Sequence, residues 1–312
     1  MADTKIEWTD RTWNPTTGCT LGCTYCYAEK MAHRLQAMGK QKYRQGFAPA
    51  CHPGELVKPV RWRKPSRVFV NSMGDLFDPA IPESFITDVV TTMFLFPEHT
   101  FQVLTKQPHR MQEYFSAHQS PPNLWLGVTI ASQEDFHRWW DLYYTNASLR
   151  FISFEPLTGP IRFDCIHCHG KGHYDDNAGT TCLVCHGTGQ TLDRLGWAIV
   201  GGMTGKNAVP MHPDWIRTLR DQCKAAEVPF FFKGWGEWRS RIAAWEPRPF
   251  GIFPDGRYYQ AGLLMGRINA EAVAIAERHA GQEYESIHRV GKKAAGSRID
   301  GQEWKQFPGG TE

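Results

Sequence analysis

Three cysteines stand close together near the start of the chain. Cys19, Cys23 and Cys26 form a C-x3-C-x2-C array in a loop that also carries Gly18 and Gly22. Thiolates are the natural ligands of iron–sulfur clusters, and three of them leave one iron of a 4Fe–4S cluster open to another ligand. Glycines and small residues let such a loop wrap closely around a cluster. A helical pattern follows over residues 28–38 and ends at Gly39, so the positive end of a helix is expected to face the anionic cluster. A closed structural zinc site wants four ligands, which this array does not supply. The first expectation is therefore a 4Fe–4S cluster held by Cys19, Cys23 and Cys26.

A second array has a different spacing. Cys165 with Cys168, and Cys182 with Cys185, make two C-x2-C knuckles 13 residues apart. Each continues as His-Gly-x-Gly, at His169–Gly172 and again at His186–Gly189. Four thiolates close a tetrahedral site, the common structural zinc arrangement, although the separation is slightly shorter than the usual ribbon range. A second iron–sulfur cluster is an alternative. So is c-type haem, because both knuckles read C-x2-C-H, but haem attachment needs an exported protein and residues 1–10 are polar rather than a secretion signal. Zinc is the expected metal, and it would stabilise a small insert that lacks its own core. Cys51 and Cys223 stand outside both arrays. Cys223 lies in a helical pattern and reads as a core or helix-face thiol, while Cys51 is less settled.

These residues must be positioned by a scaffold, and the chain supplies one. Its 312 residues are 41% hydrophobic and 21% charged, enough for a packed core. Short apolar runs at 68–71, 101–105, 124–129, 150–154, 197–200 and 229–233 read as strands buried on both faces, with a weaker one at 12–16. Amphipathic stretches at 83–94, 108–118, 133–144 and 213–226 fall between them, and Ser132 with Asp135 resembles a capping box opening the third. This alternation predicts an α/β fold with a parallel sheet, a full or partial (β/α) TIM-type barrel. A flat doubly wound sheet would give the same rhythm, and in either case chemistry belongs at the C-terminal strand ends. The expected organisation is a barrel over 1–163 and 195–239, an inserted knuckle subdomain at 164–194, and an extension over 240–312. That extension holds a helical pattern at 270–280 and a basic, Gly-rich tail at 290–298. No apolar stretch is long enough to cross a bilayer, so a soluble, cytoplasmic protein is expected. The net charge of +3 does not by itself announce a polyanion partner. One basic run with an aromatic, Arg61-Trp62-Arg63-Lys64 with Arg67, reads either as a solvated turn or as a phosphate contact.

The cluster spacing, with Tyr25 where an aromatic is usual, resembles the radical S-adenosylmethionine (SAM) superfamily. Further segments resemble a phage-associated family within it: Thr12-Trp13-Asn14-Pro15, the run Asn71-Ser72-Met73-Gly74-Asp75-Leu76-Phe77, Leu104-Thr105-Lys106, and residues 231–236 and 291–296. Together these cover most of the chain apart from 164–194. That family is similar to spore photoproduct lyase, which repairs a thymine lesion in DNA, in its cluster loop and in the Asp-Leu-Phe and Leu-Thr-Lys strand ends. The knuckles resemble half of the zinc domain of DnaJ-type chaperones. The resemblance implies that the open iron binds the amino and carboxylate groups of SAM. It further implies reductive cleavage to methionine and a 5′-deoxyadenosyl radical that takes hydrogen from a substrate, with a flavodoxin or ferredoxin as reductant.

A SAM pocket is then expected among the polar residues at the strand ends: Ser72, Asp75, Thr105, Lys106, Thr129, Gly201 and Gly202, with Tyr25. Lys106 is the expected carboxylate partner, and Glu155 is expected near the substrate. Cys51 or Tyr27 could donate a hydrogen atom. The leading expectation is modification or repair of a nucleic acid or nucleotide, with the knuckles as a substrate-binding cap. Modification of a protein or peptide is one alternative. The other is a non-catalytic nucleic-acid-binding protein that keeps its metals for structure.

Overall fold

The computed structural model describes residues 4–174, 179–240, 250–260 and 285–310. The chain falls into two compact units, residues 1–129 with 137–153, and residues 130–136 with 154–312.

The first unit is built on five parallel strands, β1 (Arg11–Trp13), β4 (Arg67–Val70), β5 (Thr100–Thr105), β6 (Leu124–Thr129) and β7 (Leu149–Phe154). They lie side by side in chain order, β1-β4-β5-β6-β7, each parallel to the next. A doubly wound sheet reverses its order part-way, whereas this run does not reverse. The winding is that of a (β/α) barrel. Helices α2 (Glu83–Leu95), α3 (Pro108–Ala117) and α4 (His137–Tyr144) follow β4, β5 and β6 in turn. Each buries the apolar stripe that its sequence spacing predicts: Phe85, Ile86, Val89 and Met93 of α2, and Met111 and Phe115 of α3. The strands are buried on both faces, and Val68, Val70, Phe101, Leu126 and Val128 have almost no exposed surface. One entry into a helix departs from expectation. Asp135 does cap, but its carboxylate accepts from the Ala131 amide at 2.9 Å, and a 3-10 turn (Gln133–Phe136) precedes α4.

Between β1 and β4 lies the segment that matters for chemistry. A two-residue strand β2 (Thr16–Thr17) pairs antiparallel with β3 (Ala50–Cys51), and α1 (Tyr27–Ala37) starts directly after the last cysteine of the first array. The predicted strand at 12–16 is thus two pieces, β1 and β2, broken at Asn14-Pro15, where proline cannot donate to a ladder. In the basic run 61–67, Trp62 packs edge-on against Trp13 and His99 and Arg67 pairs with Asp10 at 3.4 Å, while Arg61, Arg63 and Lys64 are exposed.

The second unit carries two more parallel strands, β8 (Trp197–Gly201) and β9 (Phe230–Gly234), connected through α5 (Pro213–Ala225). Cys223 of α5 is a core thiol, fully buried, and burial pushes it up to about 12. A four-stranded antiparallel sheet follows, in the order β10 (Trp238–Ser240), β13 (Glu285–Arg289), β11 (Phe250–Ile252), β12 (Tyr258–Gln260). The sequence pattern contains no sign of this sheet, and the helical pattern at 270–280 lies outside the described residues. The tail then returns to β9. A hairpin of β14 (Arg298–Ile299) and β15 (Gln302–Glu303) leads into residues 304–306, which hydrogen-bond to β9 at Phe232 and Phe230. Covering a strand edge in this way removes a row of unpaired amides.

Candidate functional site

The cysteine loop of the first unit is held from beneath by backbone and from the side by carboxylates. At its base, Gly18 donates to the Met73 carbonyl at 2.9 Å, and its own carbonyl accepts from the Asp75 amide at 3.4 Å. Gly18 has φ +83, and a methyl group there would come within 2.2 Å of the Ala48 carbonyl oxygen. A methyl on Gly74 would come within 2.7 Å of the Gly18 carbonyl oxygen. Backbones packed this closely admit only glycine. Asp78, which is fully buried, accepts from both the amide and the hydroxyl of Thr20, at 2.7 and 2.9 Å. Sequence reading missed Asp78, because no motif ties it to the loop.

The three thiols are unpaired and partly exposed. Cys26 is the N-cap of α1, and its sulfur accepts from the Glu29 amide at 3.4 Å, so the helix does begin at the array. Burial, together with the charges of Asp75 and Asp78, pushes the Cys19 thiol up to about 12. Three thiolates on one short loop are an all-sulfur donor set that suits a polynuclear iron–sulfur cluster.

The strand ends beside this loop form one network. Asp75, following β4, is buried and takes three donors: the Thr105 hydroxyl at 2.7 Å, the Phe77 amide at 3.0 Å and the Lys106 amide at 3.0 Å. Burial pushes the Asp75 carboxyl up, against the pull of those three bonds. The Lys106 ammonium lies 5.8 Å from the centre of the Tyr25 ring, a cation–π contact that ties the end of β5 to the cysteine loop. Ser72 donates to the Asn14 side-chain oxygen at 3.2 Å, and its carbonyl accepts from the Tyr27 hydroxyl at 3.0 Å. Cys51 faces Thr16 across the β2–β3 pair, and burial pushes its thiol up. Thr129 is buried at the end of β6, and its carbonyl accepts from Arg138. The expected residues Tyr25, Ser72, Asp75, Thr105 and Lys106 thus lie together beside the cysteine loop, where Asp75 and Thr105 also hold each other and the end of β5 in place.

In the second unit, Glu155 pairs with Lys233 at 2.8 Å, linking the residue after β7 to β9. A methyl on Gly201 would fall 2.6 Å from the Glu155 carboxylate, which would have to shift to admit it. Gly202 and Gly236 press on each other's backbones in the same way. Lys233 was not foreseen, since nothing in the sequence joins it to a residue so far upstream.

The four remaining cysteines come together as two like halves. The Cys165 and Cys182 sulfurs are 3.8 Å apart, and those of Cys168 and Cys185 are 3.6 Å apart. All four lie within 4.8 Å of one another and are buried. A tetrahedral ion with metal–sulfur bonds of about 2.3 Å has sulfurs about 3.8 Å apart, so the set could hold a metal. The halves brace each other reciprocally: Cys165 donates to the Gly189 carbonyl at 2.8 Å, and Cys182 to that of Gly172 at 2.9 Å. His169 and His186 both have φ 50, the left-handed turn that each knuckle requires. Burial pushes Cys165 and Cys185 up, while backbone amides and the Tyr174 hydroxyl draw Cys182 down.

Residues 3–308 match a family described as proteins of unknown function, DUF5131. The chain belongs to that family. No curated protein matches it. Two solved structures of spore photoproduct lyase, one a mutant with bound AdoMet and dinucleoside spore photoproduct and the other complexed with dinucleoside spore photoproduct, are distantly similar. They share 9% and 10% sequence identity with this DUF5131 chain at TM-scores of 0.40 and 0.39, each over 90% of it and 77% of their own length. Among the described residues, no helix is long and apolar enough to cross a membrane.

Proposed function

We propose that this chain is a radical SAM enzyme whose Cys19, Cys23 and Cys26 hold a 4Fe–4S cluster. The observation that carries the reading is the cysteine loop itself. Three unpaired thiols in one loop sit on a backbone packed against Gly74, and the last of them caps a helix at its N-terminus. When bound, the cluster and SAM supply one-electron reductive cleavage to methionine and a 5′-deoxyadenosyl radical. The chain's own residues do the positioning. Asp78 fixes the loop through Thr20, Asp75 fixes the ends of β4 and β5, and Lys106 offers a cation beside Tyr25 for the SAM carboxylate. Glu155 and Lys233 form a charged pair of the kind that orients a polar substrate. The substrate class is a nucleic acid or nucleotide, a reading supported by the resemblance of the Asp-Leu-Phe and Leu-Thr-Lys strand ends. The four-cysteine site takes zinc, supported by its sulfur spacing and by the reciprocal bracing of its halves.

The test is anaerobic reconstitution with iron and sulfide, then dithionite and SAM, with 5′-deoxyadenosine as the readout and Cys23→Ala as control. Formation of 5′-deoxyadenosine by the native chain and none by the variant is expected. A chain that takes up no iron–sulfur cluster sinks the proposal.

A further inference from the structure

The C-terminal segment builds a cleft that the radical reading leaves without a role. It lies wholly within the second unit and has a volume of about 570 Å³. That is well inside the range of roughly 300–1,000 Å³ usual for small-ligand sites. Its walls include Trp235 after β9, Arg239 of β10, Arg217 of α5, and Gly296, Ser297 and Arg298 of the tail. The cleft is fixed rather than loosely assembled. The Trp235 amide donates to the Gly296 carbonyl at 3.1 Å, and its indole N–H donates to the Arg298 carbonyl at 2.9 Å.

The three arginines differ in what they already hold. Arg217 is committed: it donates to Asp300 at 2.8 Å through Nη2 and to Asp214 at 2.8 Å through Nη1. Arg239 is not. Among the described residues its Nε, enclosed by protein, finds no acceptor, and its Nη1 reaches the Ala294 carbonyl at 3.4 Å. An enclosed guanidinium N–H without an acceptor is costly. Arg298 is exposed, and no carboxylate pairs with it among the described residues. Three arginines against the single carboxylate of Asp300 leave the lining positive. The exposed Lys292 and Lys293, on the helical turn Lys292–Ala295 just upstream, add to that sign.

Two planar guanidinium forks and a serine hydroxyl around one cleft call for an anion with several oxygens in three dimensions. A phosphate group, with oxygens pointing out of any one plane, offers acceptors to both forks and to the hydroxyl at once. We propose that this cleft binds a phosphate group, held by Arg239 and Arg298 with Ser297, belonging either to a free nucleotide or to the phosphodiester backbone of a nucleic acid. The inference goes beyond the radical chemistry and is read by binding alone.

The experiment uses the full, reconstituted chain and three probes: inorganic phosphate, thymidine monophosphate, and a short single-stranded oligothymidylate with a fluorescent label. Saturable binding of a phosphate-bearing probe is expected. A tighter monophosphate assigns the site to a nucleotide, and a tighter oligonucleotide assigns it to a backbone. Arg239→Gln and Arg298→Gln are each expected to weaken that binding at least about tenfold. For the single strand, two such contacts predict about sevenfold weaker binding on going from 50 to 200 mM salt. Arg298 is exposed, so its variant stays folded even if the Arg239 variant does not. No saturable binding of any probe, or binding indifferent to Arg298→Gln, overturns the proposal. Because 5′-deoxyadenosine is not the readout, a failure of the radical reading leaves this result intact.

Discussion

Replacing Asp75 with asparagine changes one atom and almost nothing of the side chain's size, so its effect reports on hydrogen bonding alone. Oδ1 now accepts from the Thr105 hydroxyl and the Phe77 amide, and Oδ2 accepts from the Lys106 amide. Asparagine keeps one acceptor oxygen. If that oxygen takes the Oδ1 place, its NH₂ group faces the Lys106 N–H, donor against donor. Thr105 cannot turn to help, because its oxygen already accepts from the Gln107 amide at 2.8 Å. One buried amide left unpaired costs about 1–3 kcal/mol, and turning two charge-assisted bonds into neutral ones costs roughly 1 kcal/mol each. The desolvation that pushes the Asp75 carboxyl up is relieved in the neutral side chain and offsets part of this. The net expectation is a loss of about 2–3 kcal/mol, or a melting temperature lower by about 4–12 °C. Far-UV circular dichroism on heating reads the stability, and bound iron after reconstitution reads the loop that Asp75 braces through Gly18. Thr105→Val removes a donor and an acceptor from the same network. Its effect should therefore combine non-additively with that of Asp75→Asn, with a coupling above about 0.5 kcal/mol. An Asp75→Asn chain that melts within a degree of the native protein and loads iron equally well would refute the reasoning.

Three other outcomes are expected. Gly74→Ala places a methyl 2.7 Å from the Gly18 carbonyl, at an overpacking cost of about 1–3 kcal/mol, so reconstituted iron should fall while far-UV dichroism is kept. Cys165→Ser should lower bound zinc from about one per chain to near none by elemental analysis, with iron at the first array unchanged. Asp300 is held well below the usual carboxylate range by Arg217 and Arg220, so its stabilising effect is complete above its unfolded pKa, about 4, and fades as pH falls through its lower folded value. Asp300→Asn should accordingly melt lower than the native chain at pH 7, with a gap that closes below about pH 4. A gap independent of pH in thermal scans would count against that ion network.

Much of the scaffold is legible in the residues because its strands are buried on both faces. Runs such as 101–105 and 124–129 are mostly apolar, and the observed β5 and β6 begin and end within a residue of them. Both cysteine arrays are equally plain, since their spacing is local. What the sequence conceals is whatever depends on contacts between distant segments. β10 is three residues long and pairs with β13 more than forty positions later, so neither stretch carries a period that marks it. The Lys233–Glu155 pair and the Asp78–Thr20 contact exist only because strand ends and loops meet in space. Asp75 carries a further part that its motif does not announce. A carboxylate at a strand end is expected to meet a ligand, and here it also takes three donors of its own chain.

That bracing points to how the motif segments operate. Asn14 and Asn71, which bracket the cysteine loop in sequence, act on the backbone around it. The Asn14 side-chain oxygen accepts from the Met73 amide at 3.0 Å, and Asn71, at φ 59, both accepts from the Thr16 amide and donates to the Thr16 hydroxyl. With Gly18 against Gly74, these contacts fasten the strand ahead of the cysteines to the turn after β4 at four consecutive positions, 71 to 74. The same logic recurs in the second unit, where Gly202 and Gly236 interlock and Trp235 is pinned by Gly296 and Arg298. A metal cluster with an open position needs ligands that neither splay nor collapse when it is absent, and a phosphate needs arginines fixed in advance. Rigid backbone beneath each loop meets both demands. The segments 71–77, 231–236 and 291–296 are therefore read best as clamps, which hold the loop of Cys19, Cys23 and Cys26 in one unit and the cleft lined by Arg239 and Arg298 in the other.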